Sequence, residues 1–280
     1  MRLLVTFSFL VIFHSAFCQS VNVMTYNLRY DTPNDGINRW SNRISKVATL
    51  ITKYDPDLIG VQEALKHQLD DVLKQLPQYS YVGVGRDDGK EKGEYSAILY
   101  KKDQFEVITH NTIWLSETPE VPGSKSWDAA ITRIVTLVKF RNKVSNKEFF
   151  QLNTHFDHIG KEARRNSVAL IHGHLTSLEF AQNQIPVLIS GDFNSEPHEE
   201  PYQIMITKSN RPLFDSKPST SSVGTFCGFA VGAMPCRVID YIFHTSEWKV
   251  EKYQVIHDND GLYYPSDHLP VLVEFILNGN

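Results

Sequence analysis

Carboxylates, amides and histidines recur in short clusters along the sequence, and each cluster follows or ends an apolar run predicted to be a strand. The six clusters are Thr25-Tyr26-Asn27, Gln62-Glu63, Thr154-His155-Phe156-Asp157-His158, Gly191-Asp192-Phe193-Asn194, Asp240-Tyr241 and Ser266-Asp267-His268. Their position at strand ends predicts one site gathered at one rim of a packed sheet. Hard oxygen ligands beside neutral imidazoles suit a magnesium-type ion next to a phosphate ester.

The cluster at Asp192 offers two groups that face the same way, because residues two apart on a strand share a side. A carboxylate such as Asp192 can orient or deprotonate a water, and the amide of Asn194 can donate to a phosphate oxygen. An Asx-turn before the next element is the alternative, and it is the better reading of this cluster taken alone.

A carboxylate inside an apolar strand needs a partner, and Asp240 is such a carboxylate. A histidine N–H would satisfy it, and the pairing would fix the tautomer and raise the basicity of the ring. In the last cluster, Asp267 can bind a metal while His268 points to a phosphate or acts as a base. Solvated loop polarity is the alternative for both.

Two further side chains end predicted strands. Glu63 and Asn27 could reach one cation from neighbouring strands, although a glutamate at a helix N-terminus and an asparagine in a turn are also common. Arg133 stands in a mostly apolar stretch and is a candidate anion contact. Arg164 and Arg165 open a predicted helix, where a solvated face is the expected role.

Two other hydrolytic chemistries lack support in the sequence. His155 and His158 bracket Asp157 as in a zinc site, but the two-zinc hydrolase pattern has a further histidine where this chain has Asn153. No Gly-x-Ser-x-Gly motif is present, which argues against a serine hydrolase.

Strands and helices interleave along the chain, with hairpins among them, and this order favours a mixed α/β sheet. The first strand is not followed by a Gly-rich turn, so a dinucleotide-binding fold is not indicated. Predicted strands cover 21–27, 57–61, 79–84, 96–100, 105–114, 131–140, 148–154, 185–190, 238–243, 249–256 and 270–276; predicted helices cover 44–54, 65–76 and 162–181.

The bulk composition is that of an ordinary globular protein. With 280 residues, 41% of them hydrophobic, the chain can bury a large core, and no linker or repeat divides it. The net charge of −4 and the lack of a basic stripe weaken a role in gripping long nucleic acid, without excluding its hydrolysis.

Residues 1–18 are predicted to be a signal peptide, and residues 19–280 the single domain. Arg2 precedes an apolar run too short to span a bilayer, and Ala16 and Cys18 stand where a signal peptidase needs small residues. The protein is therefore expected to be secreted or periplasmic. A buried N-terminal strand and a lipid anchor on Cys18 are less favoured, the anchor because Phe17 fits its consensus poorly.

Two cysteines remain after that cleavage. Cys227 and Cys236 lie nine residues apart in a Gly-rich stretch. An oxidising compartment would allow a disulfide, while two small buried apolar side chains are the alternative. The disulfide is slightly favoured.

The set of motifs, in this order, resembles the endonuclease/exonuclease/phosphatase superfamily from Val21 to about Ile276. The resemblance implies a four-layer α/β sandwich, with two facing mixed β-sheets and helices outside. It also implies that water attacks phosphorus with the help of Mg²⁺ or Mn²⁺. The stretch from Trp127 to Arg133 is similar to one in secreted bacterial members, which makes Arg133 a plausible substrate contact.

The resemblance also assigns roles by motif. It implies that Asn27 and Glu63 are metal ligands or near-ligands, with Asp267 close by. Asp192 resembles the residue that activates water, Asn194 and His155 the phosphate contacts, His268 the histidine that contacts the phosphate or acts as base, and Asp240 the carboxylate that orients it.

The expected function is that of a secreted metal-dependent phosphoesterase acting on a phosphodiester or phosphomonoester. The acidic charge favours a small molecule or lipid head group as substrate. A nuclease acting on DNA or RNA and a non-catalytic binding module on the same fold are the alternatives. A monomer without an obligate protein partner is expected.

Overall fold

The computed structural model describes residues 20–176, 185–207 and 211–278. The predicted signal peptide lies outside these residues. The strands are β1 Ser20–Asn27, β2 Leu58–Gln62, β3 Tyr79–Val82, β4 Ile98–Lys101, β5 Phe105–Trp114, β6 Ile134–Asn142, β7 Glu148–His155, β8 Val187–Asp192, β9 Phe214–Asp215, β10 Asp240–His244, β11 Trp248–Val255 and β12 Val271–Leu277. The helices are α1 Trp40–Tyr54, α2 Lys66–Gln75, α3 Lys161–Leu175 and α4 Glu200–Thr207, with a 3-10 helix at Pro33–Asn38. None of these helices combines the length and apolar character needed to cross a membrane.

The described strands form two six-stranded mixed sheets. The first sheet has the order β11-β12-β1-β2-β4-β3, and the second has the order β5-β6-β7-β8-β10-β9. In each sheet one central pair is parallel, β1 with β2 and β7 with β8, and the other pairings are antiparallel. The carboxyl ends of each parallel pair therefore meet at one rim.

Three apolar cores separate four layers. Between the sheets, Val23 and Leu58 of the first sheet pack with Val138 and Leu188 of the second. Strand residues alternate between faces, so Met24, next to Val23, instead faces the core under α1 and α2. The other side of the second sheet is covered by α3 and α4. The predicted four-layer sandwich is confirmed.

Near the rim, the space between the sheets is polar. The Asn153 amide donates to the carbonyl oxygens of Val61 and Ala97 at 2.8 and 2.9 Å, so it hydrogen-bonds β7 to the opposite sheet. The Gln62 amide donates to Asn153 Oδ1 at 2.7 Å. Gly60 leaves room for this network, because a Cβ there would lie 2.2 Å from Ser190 Oγ.

Element boundaries differ from the predictions by a few residues. Helix α1 begins at Trp40, four residues before the first periodic position at Ile44. Strand β6 begins at Ile134, so Arg133 lies just before the strand and not inside it. The predicted end of the third helix at Ala181 lies outside the described residues.

Candidate active site

Strand registers bring the polar clusters into rows at one rim. In the second sheet, His155 pairs with Asp192 and Asp192 pairs with Asp240 across three adjacent strands. In the first sheet, Asn27 pairs with Gln62, the neighbour of Glu63. The carboxyl ends of β1, β2, β7 and β8 and the amino end of β10 therefore carry five of the clusters to one rim. The sixth joins them there, because the Ser266 hydroxyl donates to the Asn27 carbonyl at 2.7 Å.

Asp192 lies at the centre of the group. Its Oδ2 accepts a hydrogen bond from Asn27 Nδ2 at 3.0 Å, and its Oδ1 accepts one from the Asn194 backbone N–H at 3.0 Å. The ring nitrogens His155 Nε2 and His268 Nε2 lie 3.4 and 3.7 Å from Oδ2. Burial raises the pKa of Asp192, and the nearby charge of Asp240 raises it further. This carboxylate is therefore unusually ready to accept a proton.

His268 and Asp240 form a buried pair, as the isolated carboxylate in the strand predicted. His268 Nδ1 lies 2.9 Å from Asp240 Oδ2 and 3.2 Å from Oδ1, which leaves Nε2 directed towards Asp192. Burial by itself lowers the pKa of His268, but the carboxylates of Asp240 and Asp192 raise it above the ordinary histidine value. The ring is held in one orientation and favours the imidazolium form.

His155 has the opposite electrostatic environment. Burial lowers its pKa well below the ordinary value, and the cations Arg133 and Arg86 lower it further. The Asn194 amide lies 3.0 Å from His155 Nε2 and donates to the Phe156 carbonyl at 3.0 Å. The pKa values of the two histidines on either side of Asp192 are therefore shifted in opposite directions, that of His155 downwards and that of His268 upwards.

Metal-ligating atoms converge beside Asp192. One donor atom from each of Glu63, His155 and Asp192 lies within 4.8 Å of the others. Asn27 Nδ2 donates to Glu63 Oε1 at 3.0 Å. Asp267 lies on the opposite side of the Arg29 guanidinium from Glu63. Arg29 Nη1 is 4.0 Å from Glu63 Oε2, and Arg29 Nε is 3.9 Å from Asp267 Oδ2. The predicted ligands Asn27 and Glu63 are therefore in direct contact, whereas the Arg29 guanidinium lies between Glu63 and Asp267.

This donor set fits a divalent cation. Burial raises the pKa of Asp267, and the negative charge of Glu63 raises it further. Carboxylates held close in this way repel one another, and a hard cation with oxygen ligands relieves that repulsion.

Three residues of the site have left-handed backbone conformations. The φ angles of Arg29, Glu63 and Asn194 are 55°, 62° and 46°, which are uncommon for residues other than glycine. Such conformations are retained where the surrounding structure fixes them, and they cluster at functional sites.

A cleft of about 580 Å³ opens above these groups. Seven of the nine predicted site residues border the cleft, and the other two, Asn27 and Asp240, are buried beneath it. Arg133 is 4% exposed, and its Nη2 atom lies 3.3 Å from His158 Nδ1. Burial lowers the pKa of Arg133. The structure therefore places Arg133 at the cleft with its guanidinium largely withdrawn from solvent.

The Cys227–Cys236 disulfide is present, with a Cα–Cα distance of 4.3 Å, and it closes a hairpin on the cleft wall. Phe226 of this hairpin lies against the His268 ring, with ring centroids 4.9 Å apart. The Cys227 backbone N–H donates to the Asp267 carbonyl at 3.1 Å. The hairpin thus braces the segment that carries Asp267 and His268.

One expectation about a charged residue was wrong, and three charged residues at the cleft were not predicted. Arg164 is not on a solvated face, because it is 5% exposed and donates to the Asp157 carbonyl at 2.9 Å. Arg86, Glu94 and Arg237 also border the cleft. None of them belongs to one of the six clusters, so no motif in the sequence pointed to them.

Comparison with known proteins agrees with this geometry. The model of the endonuclease/exonuclease/phosphatase family matches residues 24–268. A mannosyl-6-phosphatase of Bacteroides thetaiotaomicron is 37% identical, with a TM-score of 0.86 over 92% of this chain and 100% of that one. Another protein of the same organism, described as a member of the family, is 36% identical, with a TM-score of 0.87 over 93% and 99% of the two chains.

Curated relatives are more distant. A protein of Acanthamoeba polyphaga mimivirus is 29% identical over 60% of this chain and 63% of its own length. The Ccr4 exoribonuclease subunit of Saccharomyces cerevisiae is 23% identical over 96% of this chain but 38% of its own length. The chain thus spans less than two thirds of the length of either relative.

Proposed function

The chain belongs to the endonuclease/exonuclease/phosphatase family, and from this membership we propose that it is a divalent-metal-dependent phosphoesterase acting on a small phosphate ester. The observation that carries the proposal is the environment of Asp192. At the floor of the cleft, Nε2 of a neutral His155 and Nε2 of a charged His268 lie 3.4 and 3.7 Å from Oδ2 of the buried Asp192 carboxylate. A binding module has no need of such a proton-accepting centre.

In the proposed mechanism, the Asp192 carboxylate orients a water and accepts its proton as the water oxygen bonds to phosphorus. The bond from phosphorus to the ester oxygen breaks, and the leaving oxygen takes a proton from water to depart as an alcohol. His268, held by Asp240, places positive charge against the phosphoryl oxygens, where negative charge builds up. Asn194 and His155 hold the phosphate on the other side of Asp192, and Arg133 supplies a further positive charge nearby.

Glu63 and Asn27 would hold the metal, with Asp267 beside them and Asp192 and His155 within reach. Bound Mg²⁺ or Mn²⁺ supplies Lewis-acid stabilisation of the phosphoryl oxygens.

A small substrate is proposed on two grounds. The net charge of −4 is unlike that of proteins that hold a polynucleotide through its phosphates. The similar protein of B. thetaiotaomicron is a mannosyl-6-phosphatase, and a sugar phosphate would fit a cleft of about 580 Å³.

A substrate panel with added Mg²⁺ or Mn²⁺ tests the proposal. It should include a hexose 6-phosphate, bis-p-nitrophenyl phosphate, sphingomyelin and short DNA and RNA strands. Asp192→Asn should lower turnover of the best substrate by about a hundredfold or more. Asp215→Asn is the matched control, because Asp215 is a carboxylate of the same sheet that accepts from Tyr202 at 2.8 Å, away from the cleft. Near-normal turnover by Asp192→Asn would refute the mechanism, and preference for a polynucleotide would refute the substrate class.

We also propose that the protein is exported and that its first 18 residues are removed. A disulfide between Cys227 and Cys236 is consistent with an oxidising compartment. The intact mass of the exported protein should correspond to a chain that begins at Gln19. Retention of Met1 to Cys18 in the exported protein would refute this.

A further inference from the structure

Arg86 and Glu94 form a paired group on the cleft wall, outside the set of residues with proposed catalytic roles. Arg86 Nη1 and Nη2 donate to Glu94 Oε2 and Oε1 at 2.6 and 2.8 Å, so the guanidinium and carboxylate lie side by side. Both side chains are mostly buried, at 13% and 16% exposure. The pair borders the same small recess as Arg133 and His155, which places it next to the phosphate contacts.

The loop that carries this pair is fixed by backbone hydrogen bonds. The Arg86 N–H donates to the Glu94 carbonyl at 3.1 Å, and the Tyr95 N–H donates to the Ala64 carbonyl at 2.8 Å, directly after Glu63. The Trp114 indole N–H donates to the Arg86 carbonyl at 2.6 Å. The two side chains are therefore held in position before any ligand arrives, which lowers the entropic cost of binding.

Hydrogen-bonding capacity remains unused at this wall. Among the described residues, Arg86 Nε, Arg133 Nε and Arg133 Nη1 are buried and have no hydrogen-bond acceptor. Their nearest carboxylate oxygens, on Asp87 and Asp157, lie at 3.8 and 3.9 Å. Each Glu94 oxygen accepts one bond from Arg86 and keeps a second lone pair. Buried donors without partners are costly, so their retention in a cleft points to a ligand.

We propose that Arg86 and Glu94 form a subsite that recognises hydroxyl groups on the leaving group of the phosphate ester, and that the leaving group is a polyhydroxylated sugar. This inference rests on the proposed function. A hydroxyl both donates and accepts, so a vicinal diol can donate to Glu94 and accept from a guanidinium.

The charge of the wall favours a neutral leaving group. Among the side chains that line the small recess, Arg86 and Glu94 cancel each other, so Arg133 supplies the remaining positive charge there. A second phosphate at this subsite would meet the Glu94 carboxylate at close range and would be repelled. A sugar has no such penalty and can use both members of the pair.

A sugar phosphate and an alkyl phosphate that lacks hydroxyl groups on its leaving group test the subsite. Mannose 6-phosphate and n-hexyl phosphate share a primary phosphate ester, but only the sugar can bond to Glu94. The wild-type enzyme should show a kcat/KM for mannose 6-phosphate at least about 100-fold above that for hexyl phosphate, since a site built for hydroxyls strongly rejects an analogue that lacks them. Glu94→Ala and the milder Glu94→Gln should reduce this ratio by about 10-fold or more, mainly through KM for the sugar phosphate. The kcat/KM for hexyl phosphate should stay within about 2-fold.

The control is Glu91→Gln, which changes an exposed carboxylate of the same loop and should leave the ratio unchanged. Equal loss on both substrates in both Glu94 variants would overturn the subsite, because a purely structural role lowers both. A wild-type enzyme with the same kcat/KM for hexyl phosphate as for the sugar phosphate would overturn the subsite and leave the proposed function standing. Failure to hydrolyse either ester, or any other phosphate ester of the panel, would overturn both.

Discussion

Replacement of Asp240 by asparagine isolates the contribution of one buried charge to His268. Asp240 and His268 are 2% and 5% exposed, and Nδ1 lies 2.9 and 3.2 Å from the two carboxylate oxygens. Asparagine keeps the shape and can still accept one hydrogen bond. It removes the charge that orients the ring and opposes the effect of burial on the pKa of His268.

The size of the effect follows from the type of hydrogen bond. A bond to a charged group contributes about 1.5–3 kcal/mol, against about 0.5–1.5 kcal/mol for a neutral one. If the amide turns its oxygen to Nδ1, the loss is about 1 kcal/mol; if its NH₂ faces Nδ1, the whole contribution is lost. Since 1.36 kcal/mol is a factor of ten, kcat should fall by about 5-fold in the first case and by up to about 150-fold in the second.

Steady-state kinetics on a small phosphate ester at saturating metal measure this directly. KM should change little, because the pair acts on charge that develops only in the transition state. Asp215→Asn, in the adjacent strand of the same sheet, should leave kcat unchanged. An Asp240→Asn enzyme with wild-type kcat, or one whose loss appears only in KM, would refute the role given to the pair.

Three further predictions concern stability. Asp157 accepts hydrogen bonds from four backbone N–H groups, which lower its pKa against the effect of burial. The contribution of the Asp157 carboxylate to the stability of the fold is therefore complete above the unfolded pKa of about 4, and it is lost as the pH falls through the folded pKa. Asp157→Asn should lower the free energy of unfolding by about 3 kcal/mol at neutral pH and flatten its acid dependence in urea titrations, and an unchanged pH profile would contradict this. Gly60→Ala should lower the melting temperature, because its Cβ would lie 2.2 Å from Ser190 Oγ between the sheets, and an unchanged melting temperature would show that the sheets can separate freely. Replacing Cys227 and Cys236 by serine should cost about 2–3 kcal/mol in urea unfolding without reductant, and equal stability of both proteins would rule out the disulfide in solution.

Local patterns in the sequence were sufficient for much of the fold. The stretch from Phe105 to Trp114, rich in β-branched and aromatic residues, was predicted as a strand with the bounds observed for β5, and the alternation from Val21 to Asn27 predicted β1 to within a residue. An isolated carboxylate in an apolar strand predicted that Asp240 has a histidine partner. These features depend on the alternation of side chains along a strand or on the cost of burying one charge. Both can be recognised within a single segment of the sequence.

Other features depend on contacts between distant segments. The burial of Arg164 follows from a hydrogen bond to a carbonyl in the preceding loop, which helical periodicity cannot reveal. The charged loop from Arg86 to Glu94 carries no motif that marks it as part of a site, and only the tertiary structure shows that it faces Arg133 and His155. The position of Arg29 between Glu63 and Asp267 likewise depends on the packing of two separate strand ends.

We propose that the strand ends hold a divalent cation beside Asp192, and the Mn²⁺ dependence of hydrolysis tests this most directly. Wild-type activity should disappear with EDTA and return on addition of Mn²⁺. Glu63→Gln should require at least about 10-fold more Mn²⁺ for half-maximal activity, because it removes a charged oxygen ligand. Asp70→Asn, which alters a surface carboxylate paired with Lys66, should match the wild type. Activity that survives EDTA, or the same half-saturating Mn²⁺ concentration in Glu63→Gln and wild type, would contradict the account.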